Sequence, residues 1–295
     1  MSEINGIIII NKEQSYTSHD VVARVRRILS TRKVGHTGTL DPDATGVLPI
    51  CIGKGTKVSD MLTFSDKEYI ANVKLGLVTD TQDIWGTVKQ RHEVTDVCRD
   101  KILKAISQFT GDIMQVPPMY SAIKINGRKL CDLAREGKEV ERKERKVTIY
   151  NITLLEVDGD SFKIRVSCSK GTYIRTLCHD IGKYLGCGAC MTSLVRTKSS
   201  IFNIQEAITL KQLEEKVETD ALCDVLRPID SVFMHHPRFD ADEEITKRLS
   251  NGALSTVDVP CGEYRVYNPS GEFIAIGKVE TIKNRNKIGV VKNFV

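Results

Sequence analysis

No stretch of this sequence is apolar for long enough to cross a membrane as a helix. The longest unbroken aliphatic run is Ile7–Ile10, against the roughly 20 apolar residues that a span requires. The first residues, Met1 to Asn5, lack the basic region and apolar stretch of a secretion signal, so a cytoplasmic protein is expected. Zinc spacing is also missing: the nine cysteines include one close pair, Cys187-Gly-Ala-Cys190, with no second pair at a suitable distance, and the six histidines form no ligand pattern. Without a secretion signal these thiols read as reduced and mostly buried, with half of a zinc site as the alternative. There is no internal repeat, low-complexity tract or long flexible linker, and no Gly-Lys-Ser/Thr ending of a phosphate-binding loop.

What is present is the balance of a globular protein. Of 295 residues, 41% are hydrophobic and 27% charged, enough to build a core and enough length for two domains. Lysine and arginine number 43 against 38 acids, a net charge of +5 that is too mild to identify a partner. Its placement says more. From Val21 to Leu40 the chain carries Arg24, Arg26, Arg27, Arg32 and Lys33 with no acid, and from Lys124 to Lys146 nine basic residues face five acids. Such local positive fields draw polyanions, although a solvated helix face would have the same composition.

The hydrophobic pattern predicts a buried strand at Gly6–Ile10 and a helix over Val21–Leu29 capped by Thr17 or Ser18. Alternating strands are expected at Tyr69–Leu75, Val147–Val157 and Phe162–Cys168, and helices at Asp100–Phe109 and Tyr173–Leu185. Strands and helices do not alternate regularly, which favours an α+β arrangement over a doubly wound sheet. Breaks near Leu226–Asp230 and His235–Arg238 precede short strands around the turn Asn268-Pro-Ser-Gly271, the pattern of a small appended barrel.

The richest stretch chemically is Lys33-Val-Gly-His-Thr-Gly-Thr-Leu-Asp-Pro-Asp-Ala-Thr-Gly-Val-Leu-Pro49. Gly35, Gly38 and Gly46 free the backbone, Pro42 restricts it, and one carboxylate, Asp41, stands beside a histidine and a basic helix. Read alone, the loop is a structural turn or a catalytic one.

This run resembles the catalytic loop of TruB-type tRNA pseudouridine synthases. Further blocks resemble the same family in the same order: Gly6–Lys12, Asp66–Ile70, Leu75–Asp83, Pro117–Lys124, Cys168–Thr176, Asp180–Leu185 and Leu194–Arg196, followed by a tail like a PUA RNA-binding domain. The resemblance covers essentially the whole chain. It implies an α+β catalytic domain at 1–236 with a mixed, mostly antiparallel sheet flanked by helices, an RNA-clamping insertion at about 124–146, and a PUA-like β-barrel at 237–295.

The reaction it implies turns uridine 55 of the TΨC arm into pseudouridine, an isomerisation that needs no nicotinamide, flavin, metal or ATP. The target base must first be flipped out of the RNA. By resemblance Asp41 is the essential carboxylate, Tyr69 stacks on the flipped base, and Arg175 pairs with the aspartate, favouring its ionised form and fixing its position. Without the resemblance, Tyr69 reads as a packing residue and Arg175 as an exposed charge at a helix start.

His36 is implied to stack in the remodelled RNA and Lys12 to be a supporting basic residue near the active site among the RNA contacts, with Lys124, Arg128, Lys129, Arg142 and Lys143 contacting the RNA from the insertion. Asp80 and Asp83 lie in a resembling block but are not expected to be catalysts, and Asp43 is expected to point to solvent. The expected partner is tRNA alone, met by a monomer with no obligatory protein partner. Two rivals remain at this stage: an RNA-guided synthase subunit, and a tRNA-binding or folding protein with a silent site.

Overall fold

A computed structural model describes residues 3–295. Along the chain come β1 (Gly6–Lys12), α1 (Ser18–Ile28), β2 (Val34–His36), β3 (Thr45–Ile52), α2 (Ser59–Thr63), β4 (Lys67–Leu75), the hairpin β5 (Leu77–Thr79) and β6 (Val88–Arg91), α3 (Arg99–Gln108) and β7 (Gly111–Gln115). The short hairpin β8 (Lys124–Ile125) and β9 (Arg128–Lys129) and helix α4 (Leu130–Arg135) follow, then β10 (Arg145–Asp158), β11 (Ser161–Cys168), α5 (Ile174–Tyr184), β12 (Ala189–Ser199), β13 (Phe202–Asn203) and α6 (Leu210–Glu218).

The main sheet runs β1-β3-β12-β4-β11-β10-β7, with β2 paired to β3 and β13 to β12. Every pairing is antiparallel except β3 with β12. This is the α+β arrangement that the pattern predicts, with the mixed, mostly antiparallel sheet that the family resemblance implies.

Burial explains why the strands differ in sequence. Helices α1, α3, α5 and α6 pack one face of the sheet, so Ala71, Val73 and Leu75 of β4 and Phe162, Ile164 and Val166 of β11 point into that core. Their alternate residues, such as Glu68, Asn72 and Lys74, are only half-buried, which produces the period of two. In β1 both faces are covered. Ile8 and Ile10 join the helical core, while Ile7 and Ile9 join a second cluster with Phe233, Ile276 and Phe294 from the far end of the chain. A strand covered on both faces reads as an unbroken apolar run, and each buried isoleucine contributes roughly 1.5–3 kcal/mol.

The predicted cap of α1 is a reciprocal box. Thr17 Oγ1 accepts from the Asp20 amide at 3.1 Å, and the Asp20 carboxylate accepts from the Thr17 amide at 2.8 Å.

Beyond the main sheet lie β14 (Arg238–Asp240), α7 (Glu243–Ser250), β15 (Ser255–Thr256), β16 (Gly262–Tyr267), β17 (Phe273–Ile282) and β18 (Arg285–Asn293). They form a five-stranded sheet in the order β14-β16-β17-β18-β15. It curls as a PUA-like half-barrel around Val266, Ile274, Val279 and Ile288.

The parallel seam between β3 and β12 sits where Gly46 faces Arg196. Gly46 has φ +103°, and a Cβ there would lie 2.3 Å from the Arg196 carbonyl oxygen. Both the conformation and the approach demand glycine. Gly46→Ala is expected to cost about 3 kcal/mol and to lower the thermal midpoint by several degrees. A midpoint equal to that of the wild type would show that the seam tolerates a side chain.

Candidate active site

Asp41 lies in the loop between β2 and β3, and that loop is pinned from three directions. Ser18 Oγ accepts from the Leu40 amide at 2.9 Å, and the Ser15 amide donates to the Pro42 carbonyl at 3.0 Å. Lys12 Nζ donates to the carbonyls of Glu13, Tyr16 and Pro42 at 3.0, 2.6 and 2.8 Å. Leu40 and Ala44 on either side bury their side chains in the core. The aspartate itself keeps 43% of its side chain exposed. A rigid loop therefore presents an accessible carboxylate.

The Arg175 guanidinium holds that carboxylate. Its Nε is 3.0 Å from one Asp41 oxygen and its Nη2 is 3.4 Å from the other. The remaining donors reach the Thr81 carbonyl at 3.0 Å, an Asp83 carboxylate oxygen at 3.3 Å and the Tyr120 carbonyl at 2.8 Å. The arginine is 5% exposed, so it is no surface charge at a helix start. Gln115, also buried, fixes the approach to α5 by exchanging hydrogen bonds with the Tyr173 amide and carbonyl at 2.8 and 3.0 Å.

Two cavities meet at this ion pair. The outer one, of about 440 Å3, is lined by Asp41, Asp83, Trp85, Tyr120, Lys129 and Arg135 among others. The inner one, of about 100 Å3, is lined by Leu40, Asp41, Tyr69, Tyr173, Arg175 and Leu194 among others. Burial pushes the Tyr69 phenol above its ordinary range, opposed by the neighbouring Arg196 guanidinium, so the hydroxyl keeps its proton at neutral pH.

The other expected residues divide. Lys12 was expected among the RNA contacts, but it is 1% exposed and spends its donors on three carbonyls. It staples the Asp41 loop instead, and burial lowers it to about 8 against the opposing pull of Asp43 and Asp41. Asp43 lines the outer cavity and is half-buried, contrary to the expectation that it faces solvent. His36 stands behind His19, edge to face at 5.3 Å, and His19 is the one on the cavity wall. Burial, with help from His19 and Arg196, lowers His36 to about 4, so it is neutral above that pH and offers an uncharged ring.

Leu130 and Leu133 of the insertion make a small separate core with Met119, which precedes it. Lys129 reaches the outer cavity. Lys124, Lys129 and Lys143 are exposed and form no ion pair among the described residues. Arg128 pairs with Glu136, and Arg142 is half-buried, with Glu139 at 2.9 Å and the Pro117 carbonyl at 3.5 Å. Those two arginines serve the insertion's own structure.

Sequence reasoning missed two residues here. Asp83 is the second carboxylate on Arg175. Burial pushes its carboxyl up, opposed by the Thr81 hydroxyl, which donates to it at 2.6 Å, and by the Arg175 charge. Arg196, 1% exposed and without an ion pair among the described residues, donates to the Val47 carbonyl at 2.7 Å and the Gly38 carbonyl at 3.2 Å, tying the seam to the loop. The resembling blocks contain both, but no local pattern distinguishes them from surface charges. Asp83→Ala is expected to destabilise the fold by about 2–4 kcal/mol in denaturant unfolding. Asp80→Ala should cost less than about 1 kcal/mol, because Asp80 caps only the exposed Thr87 amide. Equal effects would remove the special place of Asp83.

A family model described as the TruB family pseudouridylate synthase N-terminal domain matches residues 26–174, and one described as the tRNA pseudouridylate synthase B C-terminal domain matches residues 175–234. A protein named tRNA pseudouridine synthase B from Alkaliphilus oremlandii is 45% identical over 96% of this chain and 96% of its own length. Proteins of the same name from Clostridium perfringens and Clostridioides difficile are 44% and 43% identical, over 93% and 99% of this chain and 95% and 100% of theirs. Among solved structures, a chain of a Cbf5–Nop10–Gar1 complex superposes with TM-score 0.73 at 29% identity, covering 98% of this chain and 85% of that one. A chain of an H/ACA RNP bound to a substrate RNA containing 2′-deoxyuridine superposes with TM-score 0.72 at 27% identity, with the same coverage.

Proposed function

The chain belongs to the TruB family of pseudouridylate synthases, and on that premise we propose that it converts uridine 55 in the T-loop of tRNA to pseudouridine without a guide RNA. The observation that carries this reading is the Asp41–Arg175 pair at the junction of the two cavities, with Tyr69 facing the inner one.

In the isomerisation the bond from N1 of uracil to C1′ of ribose breaks, a bond from C5 to C1′ forms, and the C5 proton leaves while N1 gains one. Atoms and electrons balance with no co-reactant. What the protein must supply is a fixed carboxylate at the sugar, a chamber that keeps the detached ring in place, and a flipped nucleotide. Asp41 supplies the first, oriented by the guanidinium fork. The inner chamber supplies the second, with the Tyr69 ring as a stacking surface and its protonated hydroxyl near the base. Flipping costs about a few kcal/mol, and the RNA contacts of the insertion and the neutral His36 ring offset it.

The proposal extends to the organisation of the chain. Residues 1–236 form the catalytic domain, with the insertion at about 124–146, and residues 237–295 form the PUA-like RNA-binding domain. The enzyme acts in the cytoplasm as a monomer, with tRNA as its partner. No helix among the described residues is long and apolar enough to cross a membrane. The RNA-guided alternative draws on the likeness to the Cbf5 complex, but 45% identity to tRNA pseudouridine synthase B over nearly the whole chain, against 29% to that complex, favours the guide-free reading.

Asp41→Asn is expected to abolish pseudouridine formation in an unmodified tRNA transcript, read by chemical mapping and primer extension, while tRNA binding persists. Retained turnover would refute the assignment. Lys124→Gln, Lys129→Gln and Lys143→Gln combined are expected to weaken tRNA binding and make the slope of log affinity against log salt shallower by about 2. An unchanged slope would mean that the insertion does not touch the backbone.

A further inference from the structure

The sequence contains one tryptophan, Trp85. Its side chain belongs to none of the hydrophobic clusters and is 47% exposed, yet it lines the outer cavity together with Asp41. An indole left half in water at the mouth of a polar site costs the folded state burial that any core position would supply.

The loop that carries it is braced without using it. Thr79 Oγ1 donates to the Asp83 carbonyl at 2.6 Å, and the Thr87 amide donates to the Asp80 carboxylate at 2.8 Å. The Ile84 amide donates to the Met191 carbonyl at 2.9 Å, the Met191 amide to the Gln82 carbonyl at 3.1 Å, and the Thr176 hydroxyl to the Gln82 side chain at 2.8 Å. A Cβ on Gly86 would lie 2.1 Å from Thr81 Oγ1. Removing the indole would leave every one of these bonds in place. The ring is therefore presented on a rigid mount, with little entropy left to lose when something packs on it.

The space in front of the ring suits a nucleobase. The inner chamber of about 100 Å3 contains Tyr69 and takes the target ring, whereas the outer cavity, at about 440 Å3, is more than four times larger. Lys129 and Arg135 line the same outer cavity, where they can meet phosphates. An aromatic face and cationic side chains in one groove are the elements that hold single-stranded nucleic acid.

Resting on the proposed reaction with tRNA, we propose that Trp85 is a stacking residue for a second base, that of a nucleotide flanking the flipped uridine. It binds this neighbour by its π-face without reading its identity, and so selects RNA in which the neighbour is also free of its stack.

Titrating the wild-type chain with an unmodified T-arm stem-loop should quench the emission of its only tryptophan. A stem-loop made abasic at the flanking nucleotide on one side of the target should restore that emission. Trp85→Ala and Trp85→Leu should each weaken stem-loop binding about tenfold, measured by filter retention, and Trp85→Phe should retain most of the affinity. Unchanged emission at saturating RNA would overturn the proposal. So would wild-type affinity in Trp85→Leu, which keeps an apolar side chain and loses the π-face, or quenching that neither abasic position relieves. Pseudouridine mapping on the same wild-type samples separates the two readings. Quenching without turnover supports the stacking role and removes the reaction, whereas turnover without quenching removes only the stacking role.

Discussion

The Arg175 guanidinium carries five donors and is almost fully shielded from water, so it is tolerated where those donors are taken. That requirement organises the site. The arginine joins the Asp41 loop, the Thr81–Asp83 loop, the root of the insertion at Tyr120 and the start of α5. Two carboxylates and two carbonyls converge because a buried positive charge with fewer partners would destabilise the fold by several kcal/mol, on the order of 3–5 for a broken pair. The planar fork fixes orientation as well as charge, which a lysine would not do. Stability and reactivity thus make the same demand: the geometry that neutralises Arg175 also aims Asp41.

The sheet supplies the second constraint. At the parallel seam between β3 and β12 the chain enters the sheet from the Asp41 loop, and Arg196 of β12, buried at that seam, donates to the carbonyls of Val47 and Gly38. Tyr69 is the register partner of Arg196 on the adjacent strand. The loop, the Tyr69 ring and the buried guanidinium therefore stand in a fixed relation set by backbone pairing. Such a scaffold holds a side chain more closely than a free loop would.

Much of this was legible in the sequence, for physical reasons that can be named. The Ile7–Ile10 run, the Thr17–Asp20 box and the alternation in β4 and β11 are local patterns that burial and capping write directly into neighbouring residues. Asp41, Tyr69 and Arg175 stand out because they sit in resembling blocks long enough to be distinctive, and the fold brings the three to one cavity. What stayed hidden depends on partners far away in the chain. Lys12 looks like any strand-end lysine until Pro42 folds over it, and Asp83 like any loop aspartate until Arg175, 92 residues on, meets it. Arg128 and Arg142 counted as free charge in the sequence and proved to be engaged, because composition cannot distinguish an intramolecular ion pair from a phosphate contact. The short hairpins, α4, α6 and the edge strands of the second sheet are too brief for periodicity to register.

Ile7 and Ile9 share a cluster with Phe233, Ile276 and Phe294, so the outer face of β1 finds its cover among residues more than 220 positions further along the chain. The strand paired with it, β3, carries the Asp41 loop, and Val47 and Cys51 of β3 lie in the same cluster. A change that loosens the packing of Phe294 is therefore felt at the strand pair from which the Asp41 loop rises, although the two lie some 250 residues apart in sequence.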